Sequence, residues 1–302
     1  MKILIVGAGG VGGYFGARLI QVGADVTFLL RNKRHQQIKV NGLSVQTPND
    51  SFLVWPKSVT TEELEPIYDL IILTPKAFDL DGVLTSLTKA SSYGVFLPFL
   101  NGMSHLQALD QKFGRDRVLG GVAHIAAMLT ESGEVKQLTD LHKLTVGART
   151  TSHEIVAREF DAICSRTNFD NAYSENIEQT LWDKWVFLAT LAGMTTLCRG
   201  SVGSIVAGEY GEELMVGMYE ECCLIAQKSG FSVSVETQKN AINMLTKTGS
   251  NFSASMLRDL QAGLRTEHDH VLGELIKQSE FLKVPSPQLK MAFTQISMTS
   301  AG

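Results

Sequence analysis

The sequence predicts an α/β protein: an N-terminal doubly wound sheet of the Rossmann type, followed by an all-α domain. Three observations predict it. The chain opens on a strand, a glycine-rich turn, a helix and a second strand. Apolar β-type runs then alternate with helical patterns up to about residue 175. Beyond that point only helical periodicity continues.

The elements follow in order. Residues 3–6 (Ile-Leu-Ile-Val) form a continuous apolar run, as in a strand buried on both faces. Val11, Phe15, Leu19 and Val22 are spaced three or four apart, which predicts a helix over 10–22 that Gly23 ends. Val26–Leu30 reads as the second strand, completing a βαβ unit. Residues 42–46 and 51–55 read as two short strands able to pair. Leu70–Leu73 is a third buried strand, helical pattern covers about 80–90, and Val95–Leu100 is another strand. A helix near 104–113 precedes strand patterns at 118–128, 134–138 and 143–148. A helix over 152–166 and a strand at Phe169–Tyr173 close this part. Long helical patterns then run over 177–198, 204–229, 235–247, 253–282 and 287–298. The boundary falls near 175, giving domains of 1–175 and 176–302. A length of 302 residues fits two domains.

Composition narrows the function classes. Hydrophobic residues make up 44% and charged residues 19%, ordinary values for a globular chain with a real core. The formal charge of −4 and the lack of a long basic run argue against a nucleic-acid partner. No segment reaches the roughly 18 apolar residues of a membrane span. The apolar run after Lys2 is about five residues, short for a signal peptide, so the expectation is a cytoplasmic protein. Cys164, Cys198, Cys222 and Cys223 form no C-x-x-C pair and read as buried, reduced thiols. His268 and His270, two apart on a helical pattern, point apart, so no metal site is assigned.

Gly7-Ala8-Gly9-Gly10-Val11-Gly12 fits G-x-G-x-x-G. The pattern gains meaning here because it joins a strand to a helix. Gly7 permits the tight turn, Gly9 lets the backbone approach a pyrophosphate, and Gly12 lets helix and strand pack closely. The helix N-terminus offers amide groups and a partial positive charge to phosphates. At the end of the second strand an NAD site usually places an acid for the ribose 2′-hydroxyl. This chain reads Arg31-Asn32-Lys33-Arg34 instead. Arg31 suits a bidentate pair with a 2′-phosphate, and Lys33 or Arg34 can add to the field, so NADPH is favoured over NADH.

Residues 181–198 carry charge only at Asp183 and Lys184. In so apolar a helix a lysine loses hydration, which lowers its pKa and suits it to protonate a ketone oxygen. The alternative is a lysine that reaches water or pairs with Asp183 or Glu178. Glu267 and Ser255 fall in the 253–282 pattern. The carboxylate can orient the lysine and the hydroxyl can hold a substrate carboxylate. Asp259, Glu267 and Asp269 could equally form a wet helix face.

One set of motifs keeps a specific order: the glycine turn 7–12 with Arg31, Thr74-Pro75-Lys76-Ala77, Leu100-Asn101-Gly102, Leu181-Trp182-Asp183-Lys184-Trp185, and Ser253 through Asp259 followed by Thr266-Glu267. Nearly end to end, this set resembles the ketopantoate reductase (2-dehydropantoate 2-reductase) family. The resemblance implies a Rossmann domain that binds NADPH and a helical substrate domain like that of 6-phosphogluconate dehydrogenase. It implies cofactor contacts at Gly7, Ala8, Gly9, Gly10, Val11 and Gly12, Arg31 on the 2′-phosphate, and Lys76 and Asn101 on the nicotinamide side. It implies Lys184 as general acid and Glu267 orienting Lys184 or a substrate hydroxyl. Ser255 would contact the substrate carboxylate, with Asn101 and Asn251 as further substrate contacts. The product would be pantoate, a precursor of pantothenate. Three positions depart from the pattern: Leu188 and Ala192 stand where the family usually carries asparagines, and His268 stands where isoleucine is common. They keep open a reductase of another 2-oxo acid, and a non-enzymatic NADPH sensor. The apolar helices also allow a homodimer.

Overall fold

The computed structural model describes residues 1–87 and 94–300. The chain divides into two compact units: Met1–Leu100 with His105–Glu178, and Asn101–Ser104 with Gln179–Gly302.

In the first unit, β1 (Lys2–Val6), α1 (Gly10–Gln21), β2 (Asp25–Leu29) and α2 (Asn32–Asn41) open the chain. β3 (Leu43–Gln46) and β4 (Ser51–Val54) form an antiparallel hairpin, as their patterns predict. β5 (Lys57–Val59), β6 (Leu70–Leu73), α3 (Leu80–Ser86), β7 (Val95–Pro98) and α4 (Ser104–Phe113) follow. The last three residues of the helical pattern 80–90 lie outside the described residues. Five strands make a parallel sheet in the order β5-β2-β1-β6-β7. Alternate residues explain the unbroken apolar runs. Ile3, Ile5, Leu70, Ile72, Val95 and Leu97 face the main core of this unit. Leu4, Ile71 and Phe96 are buried as well, and Phe96 stacks on Phe113 of α4 with ring centroids 4.0 Å apart. Both faces of the strands are covered, so neither can be polar.

A second sheet follows: β8 (Gly120–Leu129) and β9 (Val135–Gly147), then α5 (Glu154–Cys164) and β10 (Asp170–Tyr173). Its order is β10-β9-β3-β4, with β8 paired to β9. The sequence reads β9 as two strands separated by polar residues. It is one strand of 13 residues, because its ladder with β8 runs on through an irregularity at Ile125/Ala127. Helix α1 packs between the two sheets. A Cβ on Gly16 would strike Phe28 and Ile5 of the parallel sheet, and one on Gly13 would strike Val135 of the second. The sequence reading omits α2 and β5. α2 buries only His35 and Ile38, too few for a clear period, and β5 has three residues. Arg149 is buried in a bidentate pair with Asp110, at 2.6 and 2.8 Å, and also reaches Glu178.

In the second unit, α6 (Ile177–Cys198), α7 (Val202–Val206), α8 (Gly211–Lys228), α9 (Val235–Leu245) and α10 (Ser255–Gln261) precede a π-helical turn at Asp269–Gly273. α11 (Glu274–Phe281) and α12 (Pro287–Thr299) complete it. No strand follows residue 176 among the described residues. Trp182, Trp185, Met218, Cys222, Leu272 and Leu289 are among its core side chains. Ser201 and Ser234 cap α7 and α9, each accepting a hydrogen bond from the amide three residues on. Two predicted long helices are each broken. The 204–229 pattern splits because the chain turns tightly before Gly211, where a Cβ would overlap the Ile205 carbonyl. The 253–282 pattern splits at Gly263, whose φ of +67° stops α10. Residues 264–267 are not helical.

No described helix is long and apolar enough to cross a membrane. All four cysteines are free; Cys164 and Cys222 are buried as expected, but Cys198 is exposed. Burial raises the Cys164 and Cys222 thiols far above their ordinary pKa, so both stay protonated and inert.

Candidate active site

The glycine turn leaves β1 and enters α1. Gly7 has φ of +97°, a conformation that side-chain-bearing residues rarely adopt. Around Gly9 a Cβ would meet nothing within 4 Å, so space is open where the sequence asks for approach to a phosphate. Gly10 is closed instead: its Cβ would lie 2.6 Å from the Ala127 carbonyl of β8. A Cβ on Gly12 would overlap both Thr74 Oγ1 and the Gly7 carbonyl oxygen. Thr74, at the end of β6, donates its hydroxyl to the Val6 carbonyl at 2.9 Å and so pins the turn to the neighbouring strand. The amides of Gly10, Val11 and Gly12 lie in the first turn of α1, where no carbonyl of the helix can accept them. Together the open face at Gly9, the first-turn amides and the helix dipole fit a dinucleotide pyrophosphate.

Arg31 follows β2 and stands at the N-cap of α2 in extended conformation. Its guanidinium is 82% exposed and bonds Asp79 Oδ1 at 3.0 Å. Arg34 departs from the sequence reading. Its guanidinium donates to the carbonyls of Gly133 at 2.8 Å and Ala8 at 3.2 Å, and to Gln37. It is a brace for the glycine turn, tying the Ala8 carbonyl to the β8–β9 turn. Lys76 stands at the N-cap of the short 3-10 turn Ala77–Asp79 that follows β6. Sequence reasoning gave Asp79 no role, because nothing local distinguishes it from a surface acid.

In the second unit Lys184 lies on α6 and keeps a partial opening to solvent while sitting deep among protein atoms. Loss of hydration pushes its ammonium pKa down to about 8, and the negative charge of Glu267 opposes the fall. The alternative partners are engaged elsewhere. Asp183 accepts from Gln179 at 2.8 Å, and Glu178 accepts from Arg115 and Arg149. Glu267 corrects the wet-face alternative: it is 7% exposed and stands outside any helix, just ahead of the π-helical turn. The amides of His270 and Val271 both donate to its backbone carbonyl, at 3.1 and 2.9 Å. Trp185, next to Lys184, donates its indole N–H to the Val271 carbonyl at 2.9 Å. That bond ties α6 to the turn behind Glu267.

The remaining predicted residues gather on the same elements. Asn101 is grouped with this unit; a Cβ on its neighbour Gly102 would lie 2.6 Å from the His270 carbonyl. The Asn101–Ser104 segment therefore packs on the turn that follows Glu267. The Ala254 amide donates to Thr195 of α6 at 3.4 Å, and Phe252 stacks on Phe187 at 6.2 Å between centroids. These contacts lay the segment carrying Asn251 and Ser255 along α6. Asn251 is exposed, and Ser255, half-buried, is the first residue of α10. Leu188 and Ala192 follow Lys184 at four-residue spacing on one stripe of α6, so the two turns after the ammonium present only apolar side chains on that stripe. His268 bonds Thr266 through Nδ1 at 2.7 Å. Among the described residues no group of His, Cys, Asp or Glu could hold a metal.

Comparison with known proteins places this geometry. Residues 3–150 match the family model "Ketopantoate reductase PanE/ApbA" and residues 176–299 match "Ketopantoate reductase PanE/ApbA C terminal". A Bacillus subtilis (strain 168) protein named "Uncharacterized oxidoreductase YkpB" is 32% identical over 302 residues, 100% of this chain and 99% of its own. A 2-dehydropantoate 2-reductase of Pyrococcus horikoshii is 26% identical over 287 residues, 95% of this chain and 93% of its own. The ternary structure of D-mandelate dehydrogenase with NADH and anilino(oxo)acetate superposes with a TM-score of 0.88 at 22% identity, covering 99% of this chain and 98% of that one. With both of its parts matched and its length spanned, the chain belongs to the ketopantoate reductase family.

Proposed function

We propose that this chain reduces the keto group of 2-dehydropantoate to give pantoate, with NADPH as hydride donor and Lys184 as general acid, a step in making pantothenate. A nicotinamide cofactor and a small-molecule substrate follow from the reductase family; the phosphorylated cofactor and the particular substrate are the proposal. The observation that carries it is Lys184: a lysine with its pKa lowered to about 8 beside the charge of buried Glu267. A group of that pKa is still largely protonated near neutral pH and releases its proton readily.

When bound, NADPH supplies a hydride to the keto carbon. Lys184 gives its Nζ proton to the carbonyl oxygen, which becomes the hydroxyl of the product. The negative charge of Glu267 keeps the ammonium charged until that transfer, and afterwards favours the uptake of a proton from solvent that restores it. Gly7, Ala8, Gly9, Gly10, Val11 and Gly12 hold the pyrophosphate through backbone, Arg31 holds the 2′-phosphate, and Lys76 and Asn101 serve the nicotinamide side. Ser255, Asn101 and Asn251 hold the substrate. Membership of a reductase family, with Lys184 beside Glu267, supports catalysis over a sensing role.

A second reading is favoured by one observation: Leu188 and Ala192 give the stripe beside Lys184 no hydrogen-bonding side chain. A substrate rich in hydroxyls gains nothing there, and an apolar 2-oxo acid fits better. The structural likeness to D-mandelate dehydrogenase supports the same alternative. Rates of cofactor oxidation with a panel of 2-oxo acids decide between the two. A kcat/KM highest for 2-dehydropantoate upholds the first; a clear preference for an apolar oxo acid upholds the second.

A further inference from the structure

The acid that an NAD site usually presents to the ribose 2′-hydroxyl is missing from the end of β2, where Arg31 stands instead. The fold brings an acid to the same place from another strand. β2 and β6 flank β1 in the parallel sheet, with Leu29 and Leu73 both level with Val6. Arg31 follows β2 by two residues, and Asp79 follows β6 by six, through the 3-10 turn in which its amide bonds the Lys76 carbonyl at 2.9 Å. The two side chains meet beyond the C-terminal end of β1, at 3.0 Å. This is the edge of an open α/β sheet where ligands bind.

Asp79 is the last residue of the 3-10 turn and runs into α3 in helical conformation, and its carboxylate makes no bond to the first-turn amides of that helix. It points to Arg31 instead. Arg34, the other arginine of the basic turn, is committed to the backbone carbonyls of Ala8 and Gly133. The guanidinium available to a 2′-phosphate is thus the one that Asp79 engages.

We propose that Asp79 is a specificity-determining residue that holds the cofactor preference between NADPH and NADH. This rests on the reading of Arg31 as the 2′-phosphate contact. Toward NADPH, the carboxylate competes with the phosphate for the same guanidinium and repels its charge. Toward NADH, it offers the 2′-hydroxyl the acceptor that β2 lacks. One exposed pair therefore serves both cofactors, Arg31 for the phosphate and Asp79 for the hydroxyl, and each weakens the other's selectivity.

The test is direct binding of NADPH and of NADH to the full chain by fluorescence titration, for the wild type, Asp79→Asn and Arg31→Ala. Both side chains are exposed enough that neither change removes core packing. An exposed ion pair is worth up to about fivefold in an equilibrium constant. Asp79→Asn should tighten NADPH by about three- to fivefold and weaken NADH by a similar factor, and added salt should shrink the gain for NADPH. Equal changes for both cofactors, or none, overturn the proposal while a selective loss of NADPH in Arg31→Ala leaves the reading of Arg31 standing. Equal loss of both cofactors in Arg31→Ala overturns that reading and the proposal with it.

Discussion

In the proposed function the glycine turn and the lysine site would act by opposite means. At the turn the groups proposed to act are backbone amides, and the side chains matter by being small: Gly9 leaves open space, and Gly12 could not carry a Cβ. At Lys184 the group proposed to act is one side-chain atom, and its lowered pKa comes from what surrounds it. The first site is built by local sequence, within six residues. The second joins residues 83 positions apart in the chain, Lys184 and Glu267. Damage to the turn should therefore appear as lost binding or lost stability, and damage to the lysine site as lost chemistry.

The largest effect expected is in Lys184→Ala. Removing a general acid should lower kcat by about 100-fold to 10,000-fold while NADPH still binds. Near-normal turnover would take the lysine out of the reaction. Arg31→Ala comes next: loss of a charge-assisted pair should weaken NADPH by about 10-fold to 100-fold, with NADH much less affected, as read by titration.

Glu267→Gln separates charge from shape. The Glu267 carboxylate raises the Lys184 pKa against the lowering by burial. Without it the lysine should lose its proton below the present value of about 8. The alkaline limb of the kcat profile should then move to lower pH, and an unmoved limb would show that Glu267 does not act on Lys184. The same lysine affects stability with a definite sign. Its folded pKa lies below the unfolded one, so between about 8 and 10.5 the unfolded chain holds more protons. This group's penalty on the folded state is full below that window and is relieved as pH rises through it.

The smallest effect on chemistry should come from Gly12→Ala. The added methyl meets Thr74 Oγ1 and the Gly7 carbonyl, so stability should fall by about 1–3 kcal/mol. Thermal unfolding measures it, and an unchanged Tm would mean that the turn can move aside.

How much the sequence reveals follows the same division. The six glycine-turn positions, β6 and the whole of α6 are legible because their signals are local: a motif in context and clean periodicity. The break after α10 is not, since Met256, Leu257, Val271, Leu272 and Leu275 continue an apolar pattern that hides four non-helical residues. Glu267 shows no sign of burial in its own neighbourhood, which is charged on both sides. Arg34 resembles Arg31 by composition, and only folding sends it to carbonyls of the glycine turn and the β8–β9 turn. Local signals report what a residue could do; tertiary partners send one of two similar cations to backbone carbonyls and leave the other exposed beside Asp79.

The π-helical turn at Asp269–Gly273 bears on how this scaffold can be altered. A widened turn stores one residue more than a regular helix of the same rise. Shortening the segment by a single residue would let it relax into an ordinary helix continuous with α11. The Val271 carbonyl would then rotate away from the Trp185 indole that holds it, and the Asn101–Ser104 strap would lose its seat against His270. Any attempt to transplant the lysine–glutamate pair onto another helical protein must therefore copy this surplus of backbone along with the two side chains.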